Sequence, residues 1–171
     1  MPDFNPQAYG PRIAPLVDTD RCRPLDGGSG EARSRRLAVE DLFDPGEAVD
    51  REAAMCCVAG VLLLTDQLDA SHTWSQQVES PEGSFWHGIM HRREGDFSNA
   101  KYWFRRVGSH PVYEPLVTCG EAIAAELAVL NPVGEGRWDP MVMVDACQRG
   151  VRTGVSVGFL QRVQQAEWEL L

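Results

Sequence analysis

Residues 86–111 contain an unusual density of side chains that could bind or react with a small molecule. Three of the four histidines and two of the five tryptophans lie in this segment. Between residues 82 and 111, five basic and three acidic side chains give a net charge of +2, whereas the whole chain carries −9. A basic segment in an acidic protein concentrates positive field where an anion could bind. The sequence therefore predicts that the functional site lies in this segment.

Three of these side chains have a spacing that suits a metal ion or acid–base chemistry. If residues 81–94 form a helix, His87, His91 and Glu94 project within about 60° of one another, since they stand at positions i, i+4 and i+7. Neutral imidazole nitrogens and a carboxylate oxygen are ligands for a divalent metal ion, and the same groups can transfer protons. We predict these three residues as catalytic or metal-binding. Further ligands must come from elsewhere in the chain, and the candidates are His72, Asp69 and His110.

The residues that follow, 97–107, predict a second helix with a ligand-binding stripe. Asn99, Tyr102 and Arg106 stand at i, i+3 and i+7 and border Trp103. An arginine fork suits a carboxylate or phosphate group, and amide, phenol and indole groups would add hydrogen bonds and an apolar wall. This stripe predicts a pocket for a small anionic or sugar-like ligand. The predicted ligand-binding residues are Arg92, Arg93, Asn99, Tyr102, Trp103, Arg106 and His110.

Structural explanations compete with these assignments. The arginines could form surface ion pairs, and the histidines could be hydrogen-bonded core residues. The tryptophans favour core packing over ligand stacking. However, residues 85–94 have no clean apolar stripe, so a helix here that is buried on both sides would have to pair its polar groups inside the protein. Three functions stay open: an enzyme acting on a small polar substrate, a non-catalytic binding domain for a small ligand, and a structural or protein-interaction domain.

Start and stop signals predict the helices that would position these side chains. Ser80 can cap a helix that has Pro81 at its first position, and Gly95 can end it. Asp96 can cap the next helix, which Gly108 ends. A tight turn at residues 95–96 could fold the histidine face and the arginine face toward each other. Whether the two faces meet distinguishes a site from an internal network of ion pairs.

The rest of the chain predicts an all-α fold. No sustained alternation of polar and apolar residues indicates a strand. Residues 1–33 are predicted to be an extended, irregular arm, since they are rich in proline and glycine, and residues 34–171 a compact bundle of about six helices. Residues 69–79 are polar and are predicted to be a connection. The other predicted helices cover residues 33–43, 47–68, 113–130, 139–150 and 156–171.

Composition and charge limit the function classes. A net charge of −9 argues against binding to nucleic acid or to an anionic membrane. The longest apolar run, 53–64, is too short to span a bilayer. Residues 1–6 show no signal peptide, and five cysteines without a C-x-x-C pair predict reduced thiols in a cytoplasm. A divalent metal ion, a small anionic or polar molecule and a second copy of the chain, on which the arm could dock, are the predicted partners.

The segment 85–111 also carries a resemblance to a protein family. Its sequence, F-W-H-G-I-M-H-R-R-E-G-D-F-S-N-A-K-Y-W-F-R-R-V-G-S-H-P, resembles the signature of an uncharacterised family of bacterial and fungal proteins. Residues 165–171 are similar to that family's closing segment, and the resemblance extends over about the last two-thirds of the chain. It implies membership of a family without an established activity, so no residue's role follows from it.

Overall fold

The computed structural model describes residues 4–27, 37–44, 46, 48–129, 131, 133 and 136–171. This part of the chain forms a 3₁₀ turn and nine α-helices and contains no strand, which confirms the predicted all-α fold. The turn covers Pro6–Tyr9, and the helices are α1 (Gly10–Val17), α2 (Val39–Leu42), α3 (Arg51–Leu64), α4 (Leu68–Ser75), α5 (Pro81–Glu94), α6 (Phe97–Val107), α7 (Tyr113–Leu127), α8 (Pro140–Thr153) and α9 (Val157–Leu170).

Helix α3 is the apolar centre on which α4 and α5 pack. It begins at Asp50, whose carboxylate accepts the Ala53 amide hydrogen, and its residues from Ala54 to Leu64 are buried except Cys57. A helix that is apolar nearly all round is stable only when other helices cover it. On the other side of the bundle, α7 packs on α9, and α8 packs on both α6 and α9.

Helices α5 and α6 form a tight hairpin whose boundaries match those predicted from the sequence. The Ser80 hydroxyl accepts the Gly83 amide hydrogen at the start of α5, and Gly95 ends the helix with φ at 87°. The Asp96 carboxylate then caps α6 through the Asn99 amide, at 3.0 Å. Within the hairpin, a Cβ atom on Gly88 would lie 3.0 Å from the Phe104 ring. Glycine at this position therefore lets the two helices approach closely.

The prediction of a connection at residues 69–79 is wrong, because α4 (Leu68–Ser75) occupies most of this range. Ser71 and Ser75 are fully buried, and the Ser71 hydroxyl donates to the carbonyl of Ala59 at 2.9 Å. Small hydroxyl side chains that bond to a neighbouring backbone can pack against another helix without an apolar stripe. This packing holds His72, on the same helix, beside α5.

The region predicted as an extended arm, residues 1–33, is also corrected in its described part. Residues 6–17 are helical, and Ala14 and Val17 are buried. Proline favours the first turn of a helix, where its missing N–H would be unpaired anyway, and Pro11 stands there in α1. Val17 joins a second apolar cluster with α2 and α3. Residues 28–36, where the predicted arm ends and the helix 33–43 was predicted to begin, lie outside the described residues.

Among the described residues, no helix has both the length and the hydropathy to cross a membrane.

Candidate metal centre

Three of the four histidines meet between α4 and α5. His72 comes from α4, and His87 and His91 come from consecutive turns of α5. The His72 ring lies 4.6 Å from that of His87 and 5.3 Å from that of His91, and the two α5 rings are 4.7 Å apart, centroid to centroid. One ring nitrogen from each residue lies within 4.8 Å of the other two. The three imidazoles therefore form one cluster, which we call the histidine cluster.

His87 is the most deeply buried member of the histidine cluster. It is 1 % exposed, and neither of its ring nitrogens has a hydrogen-bond partner among the described residues. Burial, together with the nearby His91, His72 and Arg106, lowers its pKa to about 3. The ring is therefore neutral near neutral pH, which is the form that coordinates a metal ion. A buried polar group without a partner is uncommon in folded proteins and calls for an explanation.

His91 is oriented by two polar neighbours. Its Nδ1 lies 2.6 Å from the Glu94 carboxylate, and its Nε2 lies 3.1 Å from Nδ2, the side-chain amide nitrogen of Asn99. Because an ionised carboxylate can only accept, Nδ1 carries the proton and Nε2 keeps a lone pair for the amide hydrogen or for a metal ion. In zinc sites, a histidine commonly binds the metal through one ring nitrogen and donates a hydrogen bond from its other N–H to a carboxylate.

The spacing of the three imidazoles can be compared with that of a zinc site. In a tetrahedral site, with Zn–N distances of 2.0–2.1 Å, two ligand nitrogens are about 3.4 Å apart. The nitrogens of the histidine cluster lie within 4.8 Å of one another, so each separation has to shorten by at most about 1.4 Å for one ion to bind all three. In a second group, His91, Glu94 and Asp96, one ligand atom from each residue also lies within 4.8 Å of the other two, but both carboxylates are exposed. Asp96 caps α6 through hydrogen bonds that lower its pKa, chiefly the one from the Asn99 amide.

The predicted ligand-binding stripe of α6 meets the histidine face of α5. The Trp103 indole stacks on His87 at 3.8 Å, and the Arg106 guanidinium carbon lies 5.1 Å from the centre of the indole ring. Within the part of the chain that the structure describes, no carboxylate forms an ion pair with Arg106. Tyr102 is half exposed, and its ring meets the indole edge-on at 5.4 Å.

Arg92 and Arg93 lie apart from the histidine cluster. Arg92 is fully buried, forms a two-pronged ion pair with Glu167 of α9 and contacts Gln164 at 3.4 Å. Arg93 donates to the carbonyl of Leu63 at 2.5 Å and pairs with Asp66. Both guanidinium groups thus join α5 to parts of the chain that are distant in the sequence.

His110 also lies apart from the histidine cluster. Its Nδ1 accepts the Val112 amide hydrogen at 3.2 Å, and its Nε2 lies 3.5 Å from the Glu82 carboxylate. The ring contacts Phe85 and Tyr113 at the other end of α5. The structure therefore brings together His87, His91, Glu94, Asn99, Trp103 and Arg106, with Tyr102 at the edge, and separates Arg92, Arg93 and His110 from them.

The sequence alone offers His72 as one of three candidates for a further ligand. Its polar surroundings favour a solvated loop over a buried helix, because Ser, Thr and His are common in connections. The i, i+4 spacing of Ser71 and Ser75 is the signal that could have identified a buried helix face there. His72, which follows Ser71 in the sequence, would then be held beside a neighbouring helix, and in the structure this helix is α5.

Comparison of the chain with protein-family models, with curated proteins and with solved structures gives no match. The family resemblance of residues 85–111 therefore stays a prediction.

Proposed function

We propose that this protein binds a divalent transition metal ion, with Zn²⁺ as the first candidate, through His72, His87 and His91. One observation carries the proposal: His87 is buried, neutral and without a hydrogen-bond partner in the described part of the chain, and two further imidazoles face it. Metal ligation would satisfy the lone pair that the fold leaves unpaired. Glu94 then acts through His91, by fixing the protonated nitrogen and leaving the other one for the metal.

The described residues supply three histidine ligands, and this number favours a reactive site over a structural one. Structural zinc sites use four protein ligands, whereas catalytic sites use three and leave a position for water or substrate. We therefore propose a metal-assisted enzyme that acts on a small anionic substrate. Arg106 supports this proposal because its charge acts on His87 and no described carboxylate neutralises it. Its planar fork suits carboxylate and phosphate groups.

Zinc titration by calorimetry tests metal binding. The protein should carry no histidine tag and should first be stripped with a chelator. We expect one equivalent of Zn²⁺ to bind with a dissociation constant in or below the micromolar range, about −8 kcal/mol or better. His72→Gln, His87→Gln and His91→Gln should each lower the affinity by about 100-fold or more, whereas His110→Gln should bind as the native protein does. No binding, or equal loss in all four variants, would contradict the proposal.

The cobalt-loaded protein tests the anion. Phosphate that reaches the open position should change the visible absorption of bound Co²⁺ in a saturable manner. Arg106→Ala should raise the phosphate concentration needed by about 10-fold, since a charge-assisted hydrogen bond contributes about 1.5 kcal/mol or more. Arg105→Ala, which removes an exposed arginine of the same helix, is the matched control. An equal response in both variants would exclude Arg106 as the anion partner.

Two alternatives are outcomes of the same experiments. Saturable binding of phosphate or a sugar without turnover of any substrate would identify a non-catalytic binding domain. Absence of both metal and ligand binding would favour a structural or protein-interaction domain. Association into a homo-oligomer and a cytoplasmic location stay proposals, the latter supported by five cysteines that are all free thiols.

A further inference from the structure

A cavity of about 560 Å³ lies beside α3, away from the histidine cluster. Its walls come from the N-terminal segment, from α3, from the first half of α5 and from the end of α9. Four aromatic side chains line it: Phe4, Tyr9, Trp86 and Trp168. A volume of this size accommodates a small organic molecule.

The two tryptophans are held firmly in the cavity wall. The Trp168 indole nitrogen donates to the carbonyl of Gly60 at 2.8 Å. Trp86 packs against the same glycine, where an added Cβ atom would lie 3.0 Å from its ring. The two indole rings meet edge to face at 6.5 Å. The cavity therefore presents fixed aromatic surfaces, which attract organic cations as well as apolar groups.

Among the described residues, the charged side chains that line this cavity are all acidic. Asp50, Glu52, Glu82 and Glu169 contribute to the lining, and no lysine, arginine or histidine does. Arg21 neutralises Glu169 at 2.9 Å. Among the described residues, no basic side chain pairs with Asp50 or Glu52.

Glu82 completes this acidic rim from α5. Hydrogen bonds from its own backbone amide and from Ser80 lower its pKa, and His110, whose Nε2 lies 3.5 Å from the carboxylate, lowers it as well, so the carboxylate stays ionised near neutral pH. The N-termini of α3 and α5 offset part of the negative charge of the rim. The remainder complements a cation.

We propose that this cavity binds an organic cation with an apolar body, of the class of long-chain alkylammonium compounds. The alkyl chain lies against the two tryptophans, and the ammonium group lies at the rim formed by Asp50, Glu52 and Glu82. Charge complementarity selects this ligand over a fatty acid of the same length, whose carboxylate the rim repels. The proposal does not depend on the metal site.

Calorimetric titration with three ligands of equal chain length tests it: octyltrimethylammonium, octyl glucoside and octanoate, each below its micelle concentration. We expect saturable one-to-one binding of the cation, about 10-fold tighter than the neutral ligand, and weaker binding still of octanoate. Equal affinities, tighter binding of octanoate, or no saturable binding of the cation would overturn the proposal.

Two variants locate the interaction. Glu52→Gln combined with Glu82→Gln should remove the preference for the cation over octyl glucoside and leave the neutral ligand's affinity unchanged. Glu114→Gln, at an exposed glutamate outside this cavity, should keep the preference. Retention of the full preference in the double variant would also overturn the proposal. His87→Gln should bind the cation as the native protein does, so failure of the metal proposal and failure of this one are distinguishable.

Discussion

The imidazole of His87 lies flat on the indole of Trp103, with ring centroids 3.8 Å apart and planes inclined by 13°. This stack joins α5 to α6, and no described residue forms a hydrogen bond to either imidazole nitrogen. It holds the ring in place while both nitrogens stay unpaired. The arrangement is costly for a folded protein unless something else binds there, which is why it is the centre of the proposed metal site.

The neutral state of His87 predicts how stability depends on pH in the absence of metal. Its pKa falls from 6.5 to about 3 on folding, so below pH 6.5 the unfolded chain takes up a proton that the folded protein does not. The free energy of unfolding should therefore decrease as the pH falls below 6.5, by up to about 1.4 kcal/mol per pH unit.

Urea unfolding with chelator present, between about pH 7 and 5, measures this slope above the range where most carboxylates titrate. His87→Phe keeps an aromatic ring against Trp103 and removes the titrating group. Its stability should change less over the same interval. Equal slopes for the variant and the native protein would show that His87 is not neutral in the fold.

Glu94 should matter for metal affinity and little for folding. Glu94→Gln replaces the acceptor of the His91 proton, and loss of such a carboxylate usually weakens zinc binding by about 10- to 100-fold. Calorimetry measures the affinity, and urea unfolding should show a change within about 0.5 kcal/mol because the side chain is exposed. Glu79→Gln, at another exposed glutamate, should change neither quantity. An unchanged zinc affinity in Glu94→Gln would remove it from the site.

Glycine at position 88 should be required for the contact between α5 and α6. In Gly88→Ala the new methyl group meets the Phe104 ring at 3.0 Å. Overpacking of this kind usually destabilises by about 1–3 kcal/mol, more than the helix-propensity gain of about 1 kcal/mol. Gly158→Ala, in α9 with open space around its Cβ position, should be neutral or slightly stabilising. Thermal unfolding compares the two, and equal effects would show that Gly88 carries no close contact.

The buried pair of Arg92 and Glu167 should contribute to stability and not to ligand binding. Glu167→Leu leaves the guanidinium charge buried without its partner, so we expect a loss of about 3–5 kcal/mol in the free energy of unfolding. Arg92→Met combined with Glu167→Leu removes both charges and should recover a large part of that loss. Zinc affinity of the folded double variant should equal that of the native protein. A drop in affinity would place Arg92 in the site after all.

Local signals in the sequence predicted α5 and α6 to the residue. Ser80, Pro81, Gly95 and Asp96 act on neighbouring backbone groups, so their effect does not depend on the rest of the fold. Helical spacing also placed His87, His91 and Glu94 on one face, and the hairpin brings that face to Asn99.

The partners of Arg92 and Arg93 could not be predicted in the same way. Glu167 stands 75 positions further along the chain from Arg92, and Asp66 stands 27 positions before Arg93. No local pattern encodes a contact over such separations, so the two arginines resembled ligand-binding groups. The position of His72 depends likewise on the packing of α4 against α3, which combines buried serines with the partly buried Leu68, Ala70 and Trp74.

X-ray absorption spectroscopy of the zinc-loaded protein is the decisive test of zinc binding by His72, His87 and His91, because it reports the ligands of the metal itself. We expect three imidazole nitrogens at about 2.0–2.1 Å, with one further light-atom ligand from water or buffer, and the loss of one imidazole in His87→Gln. A first shell with fewer than three imidazoles, with sulfur ligands, or with no change in His87→Gln would contradict it.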